Sequence, residues 1–149
     1  MADFVSQPFR TAALRAQPRR VDIELHRVDQ AVPSYEGRIF LENRDADRDT
    51  PRTEEAGYLG SFFVFGKVDC WGEDEGHCHP ASGRKFDRRR PPGRHAKIRV
   101  TATADLLQRL LLKHQGDVTL SIVAVASADR EADAGGALRF GRLSLITYG

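Results

Sequence analysis

The chain has 149 residues, of which 40% are hydrophobic and 30% charged, and its formal net charge is +2. A chain of this length can form one domain around its own core without needing a disulfide or a metal to fold. The nearly balanced charge gives no electrostatic reason to expect nucleic acid or a membrane surface as a partner. Neither a secretory signal nor an apolar run of about 18 residues occurs, which predicts a cytoplasmic protein with reduced cysteines.

The N-terminal part of the chain changes character at Arg20. Residues 1–19 are interrupted by Pro8 and Pro18 and are predicted to form a flexible arm. From Arg20 onward, apolar and polar residues alternate in RVDIELHRV, as in a half-buried strand. Further strands are predicted in five later segments: 36–43, 58–66, 95–102, 118–125 and 138–148.

The segment 58–66, YLGSFFVFG, is the most aromatic of these strands. Aromatic and β-branched side chains between glycines are typical of a buried strand. The segment therefore predicts a core strand whose buried side chains are Leu59, Phe62, Phe63, Val64 and Phe65.

One helix is predicted over residues 104–114. Its leucines recur with helical spacing along one stripe: Leu106, Leu107, Leu110 and Leu111. Thr103 precedes this stripe as an N-cap, and Asp105 places negative charge in the first turn, where the helix dipole favours it. Gly116 suits the C-cap.

The order of these elements predicts the fold class. Strands follow one another without the regular strand–helix alternation of a parallel sheet. We therefore expect a mainly β protein in which residues 20–149 form one antiparallel, Greek-key-like β-sandwich of six to seven strands with one crossover helix.

A long irregular segment, residues 67–94, holds the side chains best suited to bind a metal: Cys70, His77, Cys78 and His79. Thiolate and imidazole groups suit zinc or copper, and four of them within ten residues predict a metal site. Two other interpretations stay open. Cys70 and Cys78 can instead form a disulfide, or the four side chains can belong to a loop without either function.

The same segment also carries a basic run: Arg84, Lys85, Arg88, Arg89, Arg90 and Arg94. Phe86 is the only aromatic residue interleaved with it, which is less than a nucleic-acid surface typically shows. The run is interpreted as a solvated face or a contact for a protein partner, centred on Arg88, Arg89 and Arg90. The sequence lacks the G-x-S-x-G and H-E-x-x-H motifs and a phosphate-binding glycine loop, so we expect no catalytic activity.

Four stretches resemble the C-terminal β-domain of polyphenol oxidases and bacterial tyrosinase-like proteins. They are EEAGYLGSFFVFG (54–66), GHCHPASGRKFD (76–87), VTLSIVAV (118–125) after the leucine-rich helix, and GGALRFGRLSLITYG (135–149). The resemblance covers about residues 20–149. It implies a β-sandwich that packs over a dicopper domain and covers its entrance.

The dicopper domain itself is missing from this sequence. Such a site needs two sets of three histidines, whereas this chain has five histidines in all: His26, His77, His79, His95 and His114. The resemblance therefore implies an accessory protein that shields, matures or supplies copper to a tyrosinase-like oxidase. The alternative is a stand-alone protein-interaction module that binds its partner through residues 67–94.

Overall fold

The computed structural model of the chain describes residues 1–66, 86, 95–126 and 135–149. The elements in this part are β1 (Phe4–Val5), α1 (Ala12–Arg15), β2 (Arg20–Asp29), β3 (Tyr35–Leu41), β4 (Tyr58–Val64), β5 (His95–Thr103), α2 (Ala104–Leu112), β6 (Leu120–Ala126) and β7 (Arg142–Tyr148). They form a four-stranded sheet in the order β1-β6-β3-β4 and a three-stranded sheet in the order β5-β2-β7. All pairings are antiparallel, which confirms the predicted β-sandwich.

The hydrophobic core lies between the two sheets. Val21, Ile23 and Leu25 of β2 point into it, as their alternation predicts, and meet residues such as Ile39 of β3 and Ile122 of β6. Each of these side chains is almost fully buried. Burial of an aliphatic side chain of this size contributes about 1.5–3 kcal/mol, so the five together account for much of the driving force that joins the sheets.

A β-bulge in β2 turns the side chain after it, that of Val28, back toward the core. The register of β2 with β5 shifts between Leu25 and Val28, and Arg27 adopts a positive φ of 57°. The extra residue reverses the alternation, so that Val28 points inward again and is fully buried.

Helix α2 crosses from one sheet to the other, because it connects β5 to β6. Its leucine stripe packs on the core through Leu107, Leu110 and Leu111, as predicted. Thr103 occupies the N-cap position but its side chain makes no capping hydrogen bond. The C-cap is Lys113 and not Gly116, since the helix ends at Leu112, two residues before the predicted end at His114. No helix in the described ranges has both the length and the apolar composition needed to cross a membrane.

The N-terminal residues lie against the sandwich, which differs from the flexible arm predicted for residues 1–19. Strand β1 adds to the four-stranded sheet by pairing with β6, and Phe9 forms an isolated bridge with Val118. Leu14 of α1 is buried in the core. The difference arises because the strand pairing of Phe4 and the bridge of Phe9 are made with residues more than 100 positions later, which short-range pattern reading does not detect.

Two glycines with nearly equal φ angles offer a stability test of the β3–β4 connection. Gly57 (φ +81°) lies so close to β3 that a Cβ atom would be 2.3 Å from the carbonyl oxygen of Leu41, whereas Gly116 (φ +83°) has nothing within 4 Å. Both alanine variants incur the left-handed penalty of about 1–2 kcal/mol. Gly57→Ala is expected to lose about 1–3 kcal/mol more, because the backbone must move.

Urea unfolding of the two variants measures this difference directly. Equal losses for Gly57→Ala and Gly116→Ala would contradict the close approach of Gly57 to Leu41.

Candidate functional site

The residues predicted to bind metal or a partner lie outside the described residues. This holds for Cys70, His77, Cys78 and His79, and equally for the three arginines Arg88, Arg89 and Arg90. The ends of their segment are described: the N–H of Gly66 donates to Ser34 Oγ at 2.9 Å, and His95 pairs with Asp29 across β5 and β2. In the parts that the structure describes, no three His, Cys, Asp or Glu side chains converge closely enough to hold a metal ion.

Strand β4 presents two aromatic side chains to solvent. Phe63 is 61% exposed and Phe65, just beyond the strand, is 82% exposed. The sequence predicted both to be buried, and this prediction is wrong. The strand lies at the edge of its sheet with only one face on the core, so Phe62 and Val64 point inward and the alternate residues point outward. We call Phe63 and Phe65 the aromatic patch.

The strand that carries the patch is firmly held. Phe62 lies over Gly37, its cross-strand partner in β3, and its ring contacts that of Tyr35 edge-to-face at a centroid distance of 6.1 Å. Aromatic pairs of this geometry contribute about 0.5–1.5 kcal/mol beyond their burial. The outward-facing Phe63 is therefore presented by a packed strand rather than by a free loop.

A polar cluster borders the aromatic patch on the same face of the sheet. Glu36 is the cross-strand partner of Phe63 and accepts hydrogen bonds from Arg38 (3.0 Å), Arg52 (3.0 Å) and Ser61 (2.7 Å). Partial burial acts to raise the pKa of Glu36, but these hydrogen bonds and the two guanidinium charges outweigh it and lower the pKa. The carboxylate stays ionised, and its three partners are held in place beside exposed aromatic rings.

The outer face of the three-stranded sheet carries two carboxylates that solvent does not reach. Asp22 and Glu24 point away from the core, yet their side chains are 0% and 1% exposed. They are covered by one layer of long cationic side chains whose charged ends are about half exposed: Arg20, Lys97 and Arg99. We call this arrangement the carboxylate strip.

Asp22 is held by three neighbours. Arg20 binds it with two nitrogens, at 2.6 and 2.9 Å, and Thr101 Oγ1 donates to it at 2.9 Å. Arg99 adds an ion pair at 3.4 Å. The hydrogen bond from Arg20 lowers the pKa of Asp22 most. The hydrogen bond from Thr101 and the charges of Arg20 and Arg99 lower it further, and together they outweigh the desolvation of the carboxylate.

Glu24 is bound from β5. Lys97 Nζ lies 2.9 Å from one carboxylate oxygen, and Arg99 donates to the other at 2.9 and 3.1 Å. The hydrogen bond from Lys97, followed by that from Arg99, lowers the pKa of Glu24 although desolvation acts the other way. His26 Nε2 lies 3.5 Å from Glu24, buried and without a hydrogen bond. Both carboxylates remain ionised and are saturated by cations, so neither is poised to donate or accept a proton in catalysis.

A cleft of about 120 Å³ lies where the C-terminal end of α2 meets the β3–β4 connection. Its carboxylates already have partners: Glu42 accepts hydrogen bonds from the backbone and side chain of Thr119, and Glu54 pairs with Arg109 at 3.0 Å. Inside the sandwich, an apolar void of about 10 Å³ lies among residues of both sheets and α2, which is hardly room for one water molecule. In the cleft, Glu42 and Glu54 are thus engaged in structural contacts, and the void is purely apolar.

No protein-family model matches the chain, and the comparisons with curated proteins and with solved structures likewise found no match. The resemblance to the polyphenol oxidase C-terminal domain thus stays a prediction from the sequence.

The carboxylate strip predicts how stability depends on pH. The ordinary pKa values are 3.8 for aspartate and 4.5 for glutamate, and those of Asp22 and Glu24 are lower in the folded protein. Near and below these values the unfolded chain binds more protons than the folded one. The stabilisation is therefore fully present above about pH 5 and is lost as the pH falls through the lowered folded values.

Urea unfolding at several pH values between 7 and 3 tests this expectation. Asp22→Asn/Glu24→Gln should be less stable than the wild type at pH 7, and the difference should shrink toward pH 3. The exposed Asp117→Asn serves as the matched control. Unfolding free energies of the wild type and the double variant that stay parallel down to pH 3 would contradict the role of the strip.

Proposed function

We propose that this chain is a non-catalytic accessory domain that binds a tyrosinase-like copper protein through the aromatic patch. The observation that carries the proposal is the exposure of Phe63 and Phe65 on the outer face of a packed edge strand. Aromatic rings are among the residues that most often dominate binding energy at protein interfaces. Water-exposed rings fixed in place lose little conformational entropy when a partner covers them.

The surroundings of the patch support this interpretation. Interfaces combine a central apolar contact with a polar rim whose hydrogen bonds are satisfied. Here Glu36, Arg38, Arg52 and Ser61 form such a rim on one side of Phe63. Because Glu36 keeps its ion pairs with Arg38 and Arg52, covering it does not leave its carboxylate unpaired, and the cluster presents one net positive charge to the partner.

The identity of the partner rests on the sequence resemblance. One of the four segments that resemble the polyphenol oxidase domain, residues 54–66, contains Phe63 and Phe65. In that family the sandwich packs on the dicopper domain. A sandwich with five histidines cannot itself form two sets of three, which suits packing on a protein that holds the dicopper site.

Binding to a purified bacterial tyrosinase-like dicopper protein, measured by biolayer interferometry, tests the proposal. Phe63→Ser/Phe65→Ser should weaken binding at least about thirtyfold, since loss of an interface anchor costs about 2 kcal/mol. Leu112→Ser is the matched control, because Leu112 on α2 is also 82% exposed but lies on a different element. It should bind like the wild type.

A third variant separates the two hypotheses about the binding surface. Replacing Arg88, Arg89 and Arg90 with alanine should abolish binding if residues 67–94 contact the partner. Loss of binding in this variant alone would place the contact in residues 67–94 and reject the aromatic patch. A wild-type chain that does not bind the dicopper protein at all would overturn the proposed partner.

A further inference from the structure

Strand β7 has an open edge. It pairs with β2 on one side, and in the described part of the chain no strand pairs with its other side. None of its seven residues is fully buried, whereas β6, which is paired on both sides over part of its length, has five buried residues. Its inward-facing leucines, Leu143 and Leu145, pack against the core but stay partly accessible.

The other sheet edges in the described structure are protected. Strand β1, which borders β6, has only two residues. Strands β4 and β5 approach each other at one side of the sandwich, where a Cβ atom on Gly60 would lie 3.1 Å from a methyl group of Val100. Strand β7 alone among these edges is both long and without a neighbouring strand.

Beyond Arg142 at its start, the sequence of β7 contains none of the features that usually keep an edge strand from pairing. Soluble proteins protect such edges with charges, prolines, bulges or short strands. From Leu143 to Tyr148 the strand reads LSLITY, with no charge and no proline, and its register with β2 is regular throughout. An unprotected edge of this composition pairs with another strand.

We propose that β7 pairs with β7 of a second copy of this chain, antiparallel about a two-fold axis at Leu145. Leu145 is the midpoint of Arg142–Tyr148, so this register pairs every residue of the strand. It joins the two three-stranded sheets into one sheet of six strands. The interface is isologous, as two-fold pairing of identical strands requires.

The position of the one charged residue of β7 is compatible with a second copy in this register. Arg142, the only charged residue of β7, lies opposite Tyr148 of the second copy instead of opposite another arginine. The same pairing exists within one chain, where the guanidinium of Arg20 lies over the ring of Tyr148, its cross-strand partner, at 4.5 Å. On the inner side Leu145 meets Leu145 and extends the core across the axis.

The molar mass of the full chain, measured by light scattering over a wide concentration range, tests the pairing. The wild type should approach twice 16.6 kDa as concentration rises. In the proposed register Ser144 lies opposite Ile146 of the second copy, so Ser144→Lys/Ile146→Lys places lysines opposite each other twice. Dimerisation should weaken at least about tenfold, because like charges directly across a strand pair repel.

Urea unfolding of the monomeric double-lysine variant checks that the single chain stays folded, which keeps the test informative. Within one chain, Ser144 lies opposite Glu24 and Ile146 opposite Asp22, so both new charges face carboxylates. The matched control Ser144→Thr/Ile146→Val keeps the strand uncharged and should dimerise like the wild type. A wild type that stays monomeric at every concentration, or a double-lysine variant that dimerises normally, would overturn the proposal.

Cysteine cross-linking tests the register independently of affinity. In a Cys70→Ser/Cys78→Ser background, Leu145→Cys places two thiols opposite each other at the axis, whereas Leu143→Cys faces Thr147 of the second copy. Leu145→Cys should form a disulfide-linked dimer on mild oxidation at least about tenfold faster than Leu143→Cys. Equal rates for the two variants would contradict the register.

Discussion

Strand β2 is buried on both faces, and the rest of the structure depends on this constraint. Its inner face supplies Val21, Ile23 and Leu25 to the core, and its outer face carries Asp22 and Glu24 under a cationic layer. The two faces fix the register of β5 in different ways. A slip of β5 by one residue along β2 would turn the apolar side chains of β5 away from the core. It would also remove Arg99 from its position opposite Glu24. Strand β5 is thereby aligned both by packing and by charge, and α2, which begins where β5 ends, is placed over the core.

Most strands and the main helix could be predicted from local sequence patterns. The features that could not be predicted depend on pairing between residues far apart in the sequence. The period of two in β2 and the leucine stripe of α2 are visible within a few residues. The burial of Glu24 depends on Arg99, which is 75 positions away, although the charges of both strands recur with the same period of two. Phe63 and Phe65 were misplaced because a wholly apolar segment does not show which of its faces is outward. That face is decided by the register of β4 on β3, which turns Phe62 and Val64 toward the other sheet and Phe63 away from it.

The outer faces of the two sheets differ in what they expose to solvent. On the three-stranded sheet, Asp22 and Glu24 are saturated by cations, so this face stabilises the fold. The open edge of β7 is the part of this sheet that we propose to bind a second copy. On the four-stranded sheet the carboxylate of Glu36 is likewise satisfied, but the aromatic rings beside it remain in water. A function based on binding requires only this second arrangement, a rigid frame with an unsatisfied apolar surface. The metal site predicted at Cys70, His77, Cys78 and His79 stays a prediction and would add copper handling to the same role.

Hydrogen exchange of the chain, measured by mass spectrometry with and without a saturating tyrosinase-like dicopper protein, tests the central claim most directly. The account predicts slower exchange in peptides that contain Phe62–Phe65 and the neighbouring residues of β3. Exchange in β2, which is already buried on both faces, should stay unchanged and serve as an internal reference. Absence of any protected peptide at saturation, or protection elsewhere with none in β4, would contradict the claim that the aromatic patch is the partner-binding surface.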